Sequence, residues 1–256
     1  MLAANPGRFH PPLWARRAAV LAGLSLVLVG ASTPPPAAET PAPAPSEGAV
    51  SFDAQAYYPL APGNLWVWQG PGGALDLRVR TVVGRVDGPD EIRAEVESID
   101  ASGKPTHRDQ LAIRGGAIHR LGTLFADGRQ VAFEPPLLYA PFSAVVGDER
   151  TADTRETDAS GTARSYQRRV LIHAAGEVET QLATFGETIA LAIADYPDPK
   201  FPIPEKVVTI WFARGFGPVR LQVESLAGKV VEDVVYARIG ERVWGTDPRS
   251  APAPRD

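Results

Sequence analysis

The side chains in this sequence best suited to holding another molecule are aromatic. Tyr57, Tyr58, Trp66, Trp68, Trp211 and Phe216 fall in three short segments. Rings of this kind either fill a core or line a pocket for an apolar or sugar-like ligand, and alternation along a strand fits both uses. Trp66 and Trp68 stand two residues apart, so a strand through them presents both to one face. Tyr58, Trp66, Trp68, Trp211 and Phe216 are therefore the candidate ligand-lining residues.

Acid–base, metal and nucleophile chemistry find less support. His107, His119 and His173 are isolated, without His-x-His or His-Glu-x-x-His spacing, so a zinc site would have to be assembled across strands. No Gly-x-Ser-x-Gly elbow, phosphate-binding glycine loop or dinucleotide fingerprint occurs. Asp148, Glu149, Asp153, Glu156 and Asp158 crowd one polar segment before Gly161. They lack the regular Asp-x-Asp-x-Asp-Gly spacing of a calcium loop, Arg150 and Arg155 interrupt them, and the segment reads as a solvated charged loop. The chain has no Cys, which excludes disulfides, thiolate metal sites and cysteine nucleophiles. No catalytic residue, metal or cofactor is assigned on these grounds, and an enzyme with a site built across strands ranks last among the functions considered.

What must position the aromatics is the middle of the chain. Residues 1–31 have the three parts of a secretory signal: Arg8, Arg16 and Arg17, an apolar run from Ala18 to Val29, then Gly30 and Ala31. The run is too short for a stable membrane span, and cleavage is expected after Ala31. Residues 32–48 are rich in Pro and Ala and read as an extended, disordered tether; residues 245–256 read as a disordered tail. Without the signal, 23 basic residues face 30 acidic ones, which argues against nucleic acid as a partner. The mature chain is expected outside the cytoplasm, periplasmic or extracellular, with no stable membrane span.

Residues 50–244 form one expected domain. Its hydrophobic period is two: Leu75, Leu77, Val79 and Thr81 alternate with Asp76, Arg78 and Arg80, and Ile92, Ala94 and Val96 alternate with Arg93, Glu95 and Glu97. Each such strand is expected to have a buried face and a wet face. Val219, Leu221 and Val223 lead through Ala227-Gly228-Lys229 into a hairpin partner. Further strands are expected at 106–113, 117–125, 129–134, 163–174, 177–184, 187–195 and 206–213, joined by links too short for anything but antiparallel neighbours. Leu65 to Trp68 and Val207 to Phe212 are apolar on both faces and need cover on both sides. The segments 134–144 and 196–204 are expected to fold over an edge or mouth. The fold class is all-β: a curled antiparallel sheet or half-barrel of about ten strands, with few or no helices.

Three segments resemble a broad group of secreted and lipid-anchored bacterial β-sheet proteins with no established activity. They are Tyr57 to Trp68, Val178 to Gly186, and Trp211 to Arg220, in the same order and spacing. The chain departs from that pattern at Gln181, Leu182, Arg214 and Pro218, and Ala31 stands where relatives carry a lipid-modified Cys, so lipid anchoring is not carried over. The group is similar to periplasmic lipoprotein-carrier folds, which implies a curled sheet around an apolar cavity. The expected function is an exported, non-enzymatic binding module for an apolar small molecule or an envelope component. The alternative is a structural or protein-interaction domain of the envelope with a filled core.

Overall fold

A computed structural model of the chain describes residues 53–73, 77–140, 145–197, 203–204 and 206–250, with backbone alone at 174 and 175. The signal, its cleavage after Ala31, the tether and residues 251–256 of the tail lie outside the described residues, as do Leu75, Asp76, residues 141–144 of the first expected cover and 198–202 of the second.

The described residues form thirteen strands, most of them where the period-two pattern placed them. They are β1 (Leu65–Gln69), β2 (Leu77–Asp87), β3 (Glu91–Ile99), β4 (Pro105–Arg114), β5 (Ala117–Phe125), β6 (Gln130–Ala140), β7 (Glu149–Asp158), β8 (Ala163–Glu179), β9 (Thr184–Tyr196), β10 (Lys206–Ala213), β11 (Gly217–Ser225), β12 (Gly228–Ile239) and β13 (Arg242–Trp244). Each is antiparallel to the next, and β1 also pairs with β12, so twelve strands close into a barrel. Closure leaves no open edge between the first and last ring strands. β13 pairs with the last residues of β12. Register shifts at Val82/Gly84, Gln110/Leu111 and Trp211/Phe212, among others, provide bulges that help the sheet curl.

Three expectations about elements are corrected. The acidic segment 149–158 is strand β7, not a loop; only Thr154 is buried in it, so its strand character comes from a ladder to β8 rather than from an apolar face. The two strands expected at 163–174 and 177–184 are one long β8 that passes through Gly176 by a bulge and turns at 180–183 instead. β6 continues through Pro135 and Pro136 to Ala140, carrying Leu137 and Tyr139 into the interior where a covering loop was expected. At the tail, Pro248–Ser250 forms a short 3-10 turn after Asp247.

The described residues include one α-helix, α1 (Ala54–Tyr57), whose first turn is capped by the Asp53 side chain accepting from Gln55 N at 3.0 Å. After it the chain enters the barrel. Tyr58 and Leu60 are fully buried against Trp66, Phe212 and their neighbours, and Gly215 N donates to Ala56 O at 2.6 Å, tying α1 to the β10–β11 turn. Ala61-Pro62-Gly63-Asn64 is a type II-like turn: Asn64 N donates to Ala61 O at 3.1 Å, and Gly63 has φ of 86° at the position that demands a positive value. The Asn64 side chain is buried, donates to Pro59 O at 2.6 Å and accepts from Gly240 N at 2.8 Å, joining the start of β1 to the β12–β13 turn. One end of the barrel is thus closed by apolar packing.

Candidate functional site

Away from that packed end, the inward-facing rows change from apolar to charged in the same direction. On β2, Val82 gives way to Arg80 and Arg78; on β4, Ile113 and Leu111 give way to Asp109 and His107; on β8, Ile172 and Val170 give way to Arg168. β9 carries Asp195 one residue before its end, β10 begins with Lys206 and β12 carries Glu232. These residues enclose a cavity of about 290 Å³. Its opposite wall is apolar, made by Val208 and Ile210 of β10 and Leu221 and Val223 of β11. Sites of this size with one apolar wall and a few convergent polar groups suit a small amphipathic molecule.

The charged wall is ordered by pairing. Arg168 grips Asp195 with two parallel bonds, Nε to Oδ1 and Nη2 to Oδ2, each 2.6 Å. Arg78 Nη2 donates to Glu232 Oε1 at 2.5 Å. Asp109 is shared: its Oδ2 accepts from both Arg80 and Arg120 at 3.0 Å, and its Oδ1 accepts from Thr123 Oγ1 at 3.0 Å. Burial alone would raise the Asp109 carboxyl, but Arg120 and Arg80 beside it hold it below the usual carboxylate range. His107, whose Nε2 lies 3.9 Å from that carboxylate, is pushed below its ordinary value, chiefly by desolvation. Tyr139 stands under the cation of Arg120 at 5.8 Å and within hydrogen-bonding reach of Arg80.

Some donors here have no partner among the described residues. They include Nε of Arg80, Nε of Arg120 and Nε1 of Trp68 in the cavity lining, and the hydroxyl of Tyr58. Burial pushes the Tyr58 hydroxyl up, against the pull of Arg80; Tyr139 and Asp109 push the same way. Its hydroxyl is therefore in electrostatic reach of the Asp109 cluster.

Of the five aromatic candidates, Trp68 lines the cavity. Tyr58, Trp66 and Phe216 are buried in the packed core, and Trp211 is half-buried at its margin. Trp66 Nε1 donates to Phe216 O at 2.9 Å, and Phe216 packs between Phe185 and Trp244 with ring centroids at 4.8 and 5.1 Å. The three strand histidines lie on β4, β5 and β8, and only His107 lines the cavity.

The charged residues escaped the sequence reading because the two faces of β2 are exchanged relative to expectation. Val79 joins Leu65 and Val67 in a second, separate apolar cluster, while Arg78 and Arg80 point into the barrel. One signal was available: Val82 shares parity with the two arginines, so both faces of β2 held apolar residues. Asp109, Arg120, Arg168, Asp195 and Glu232 stand in otherwise apolar or mixed strands, and only the cross-strand arrangement brings them together.

No protein-family model and no curated protein matches the chain. Solved structures with some likeness to it include a chain assigned as a lipoprotein from Parabacteroides distasonis, with 14% identity and a TM-score of 0.45, covering 73% of this chain and 97% of that one. A chain assigned as exported, with a YmcC-like fold, from Bacteroides fragilis has 14% identity and a TM-score of 0.45, covering 76% and 99%. A hypothetical protein of Chlamydia trachomatis has 10% identity and a TM-score of 0.34, covering 77% and 93%.

Proposed function

We propose that the chain is an exported, non-enzymatic binding module that takes a small molecule with an apolar part into the lumen of its barrel. The observation that carries this reading is the cavity of about 290 Å³ left beside the apolar wall of Val208, Ile210, Leu221 and Val223, in a barrel whose other end is tightly packed. A structural barrel gains stability from filling such a space, since buried voids forfeit packing. Export rests on the basic and apolar segments of residues 1–31.

Fluorescence titration with the neutral apolar probe N-phenyl-1-naphthylamine tests it. Saturable binding at one site per chain is expected, lost when Val223→Trp fills the lumen in a variant that still melts cooperatively. Absence of saturable binding, or binding indifferent to Val223→Trp, would overturn the reading.

The envelope-interaction alternative has one feature in its favour. Leu226 is 99% exposed just after β11 and Ile203 is 71% exposed just before β10, strands whose ends pair through Lys206 and Ser225 at the charged end of the barrel. If that lip serves docking, Leu226→Ser with Ile203→Ser abolishes retention of the protein by its own envelope fraction while leaving probe binding intact.

A further inference from the structure

We propose that the cavity recognises an amphipathic anion, and that Arg80, Arg120 and the indole N–H of Trp68 receive its carboxylate, sulfonate or phosphate group. This deepens the binding reading above and rests on it. Two features of the lumen point to an anion and a third to its apolar body.

The first is the balance of charge. The whole chain is acidic, with a formal charge of -4, yet five Arg and Lys residues line this cavity against three Asp and Glu. Two of those pairs are one to one, Arg168 with Asp195 and Arg78 with Glu232. At the centre, a single carboxylate, Asp109, is shared by two guanidiniums that both reach the same oxygen at 3.0 Å. One positive charge is left over in a partly desolvated place, where like charges repel far more than in water.

The second is the state of the donors. Asp109 engages one Nη2 of each arginine, and among the described residues the Nε of each is buried without a partner, as is Trp68 Nε1. Buried donors are rarely left unpaired, and one that is left so is satisfied by water or by a ligand. The register of β1 with β2, Trp68 opposite Arg78, places the indole next to the arginine row. An incoming oxyanion would meet guanidinium and indole donors together, the arrangement that forms strong charge-assisted bonds.

The third is the other wall. Val208, Ile210, Leu221 and Val223 offer no partner to a hydrated inorganic ion but suit a hydrocarbon or aromatic body. Asp109 has the role of a positioning residue: it holds both arginines in register and keeps them from repelling each other apart.

The test compares two probes with the same aromatic skeleton. One is 8-anilinonaphthalene-1-sulfonate, and the other is neutral N-phenyl-1-naphthylamine. The parent chain should bind the sulfonate at least about tenfold more tightly than the neutral probe. Arg120→Gln should erase that excess, Trp68→Phe should reduce it about threefold, and Arg242→Gln, at an exposed surface cation, should change the affinity for neither probe. If Arg120→Gln does not fold, Arg120→Lys and Trp68→Phe carry the comparison. Octanoate and octyl phosphate should displace the sulfonate probe at concentrations where inorganic phosphate does not. Equal affinity of the two probes for the parent overturns the anion subsite while sparing the binding module. Displacement by inorganic phosphate as effective as by octanoate overturns the amphipathic ligand, and failure of both probes to bind overturns the binding reading itself.

Discussion

The indole of Trp66 lies so close to Gly217 that a β-carbon there would come within 2.9 Å of its Cζ2 and 3.0 Å of Nε1. The same indole donates to the carbonyl of Phe216, 150 residues along the chain. Two sequence motifs that look unrelated, Gly63 to Trp68 and Arg214 to Val219, are thus two halves of one contact. Gly217 also has φ of 106°, a conformation side chains rarely adopt.

Gly217→Ala should therefore cost about 2–4 kcal/mol, from the backbone conformation and the overpacking together. Chemical denaturation of the variant measures it. Gly228→Ala is the control: its φ is also positive, 128°, but no atom lies within 4 Å of the added carbon, so the loss should be smaller. Equal losses would show that the indole contact contributes nothing.

Asp109 is the hinge of the lumenal charges. Asp109→Asn keeps the shape but leaves Arg80 and Arg120 side by side without their shared carboxylate, and removing one partner of a buried ion pair is strongly destabilising. Since both arginines keep some exposure, 14% and 26%, a loss of about 3 kcal/mol is expected rather than the largest values known for such changes. Thermal melts read it. In the same variant, if it is folded, the sulfonate probe should bind more tightly, because two uncompensated cations then face it.

The pH dependence of stability should follow His107 and His119. Desolvation comes first in lowering both; on His107 the Asp109 carboxylate opposes it, while Arg80, Arg120 and Arg78 reinforce it. Thr106, at 3.1 Å from Nδ1, and the ring of Phe125 complete the surroundings of His107. A folded-state value below the unfolded value of 6.5 means the unfolded chain takes up protons first as pH falls. The contribution of each histidine is fully present above 6.5 and is lost as pH falls through the lower, folded value. Melting temperature should fall between pH 7 and pH 5, and His107→Gln should flatten that fall; an unaltered slope contradicts it.

How much of this was legible in the sequence can be traced residue by residue. Period-two alternation exposes the strands, because a half-buried strand writes its two faces into successive residues. The turn at Pro62-Gly63-Asn64 was equally plain, since its chemistry is local. Closure of β1 on β12 was not, because pairing Trp66 with Ala237 is a relation across the whole chain. The cavity was hidden for a related reason: a barrel has an inside that need not be dry throughout. Arg78 and Arg80 look like solvent-facing residues on β2 alone, and become lumenal only when the ring brings Asp109 and Arg120 opposite. β7, with six of its ten residues charged and no large apolar side chain, left no periodic trace at all.

The two tryptophans of β1 share a face but should answer differently to truncation. Trp66 is fully buried, hydrogen-bonded through Nε1 and enclosed by Tyr58, Phe216 and Gly217. Removing its ring deletes packing on every side and leaves the Phe216 carbonyl without its donor, so Trp66→Ala should cost about 3–5 kcal/mol. Trp68, one step toward the charged end, is 3% exposed, borders the cavity and has no partner for Nε1 among the described residues. Its removal enlarges a space that already exists and breaks no hydrogen bond, so Trp68→Ala should cost about half as much as Trp66→Ala. Probe binding should show the reverse order: Trp68→Ala weakens the neutral naphthylamine by removing part of its wall, while Trp66→Ala, where folded, leaves affinity nearly unchanged. Denaturant melts of both variants beside the probe titration check both orders at once. Equal destabilisation with intact binding in both would place Trp68 in the core and deprive the cavity of its aromatic wall.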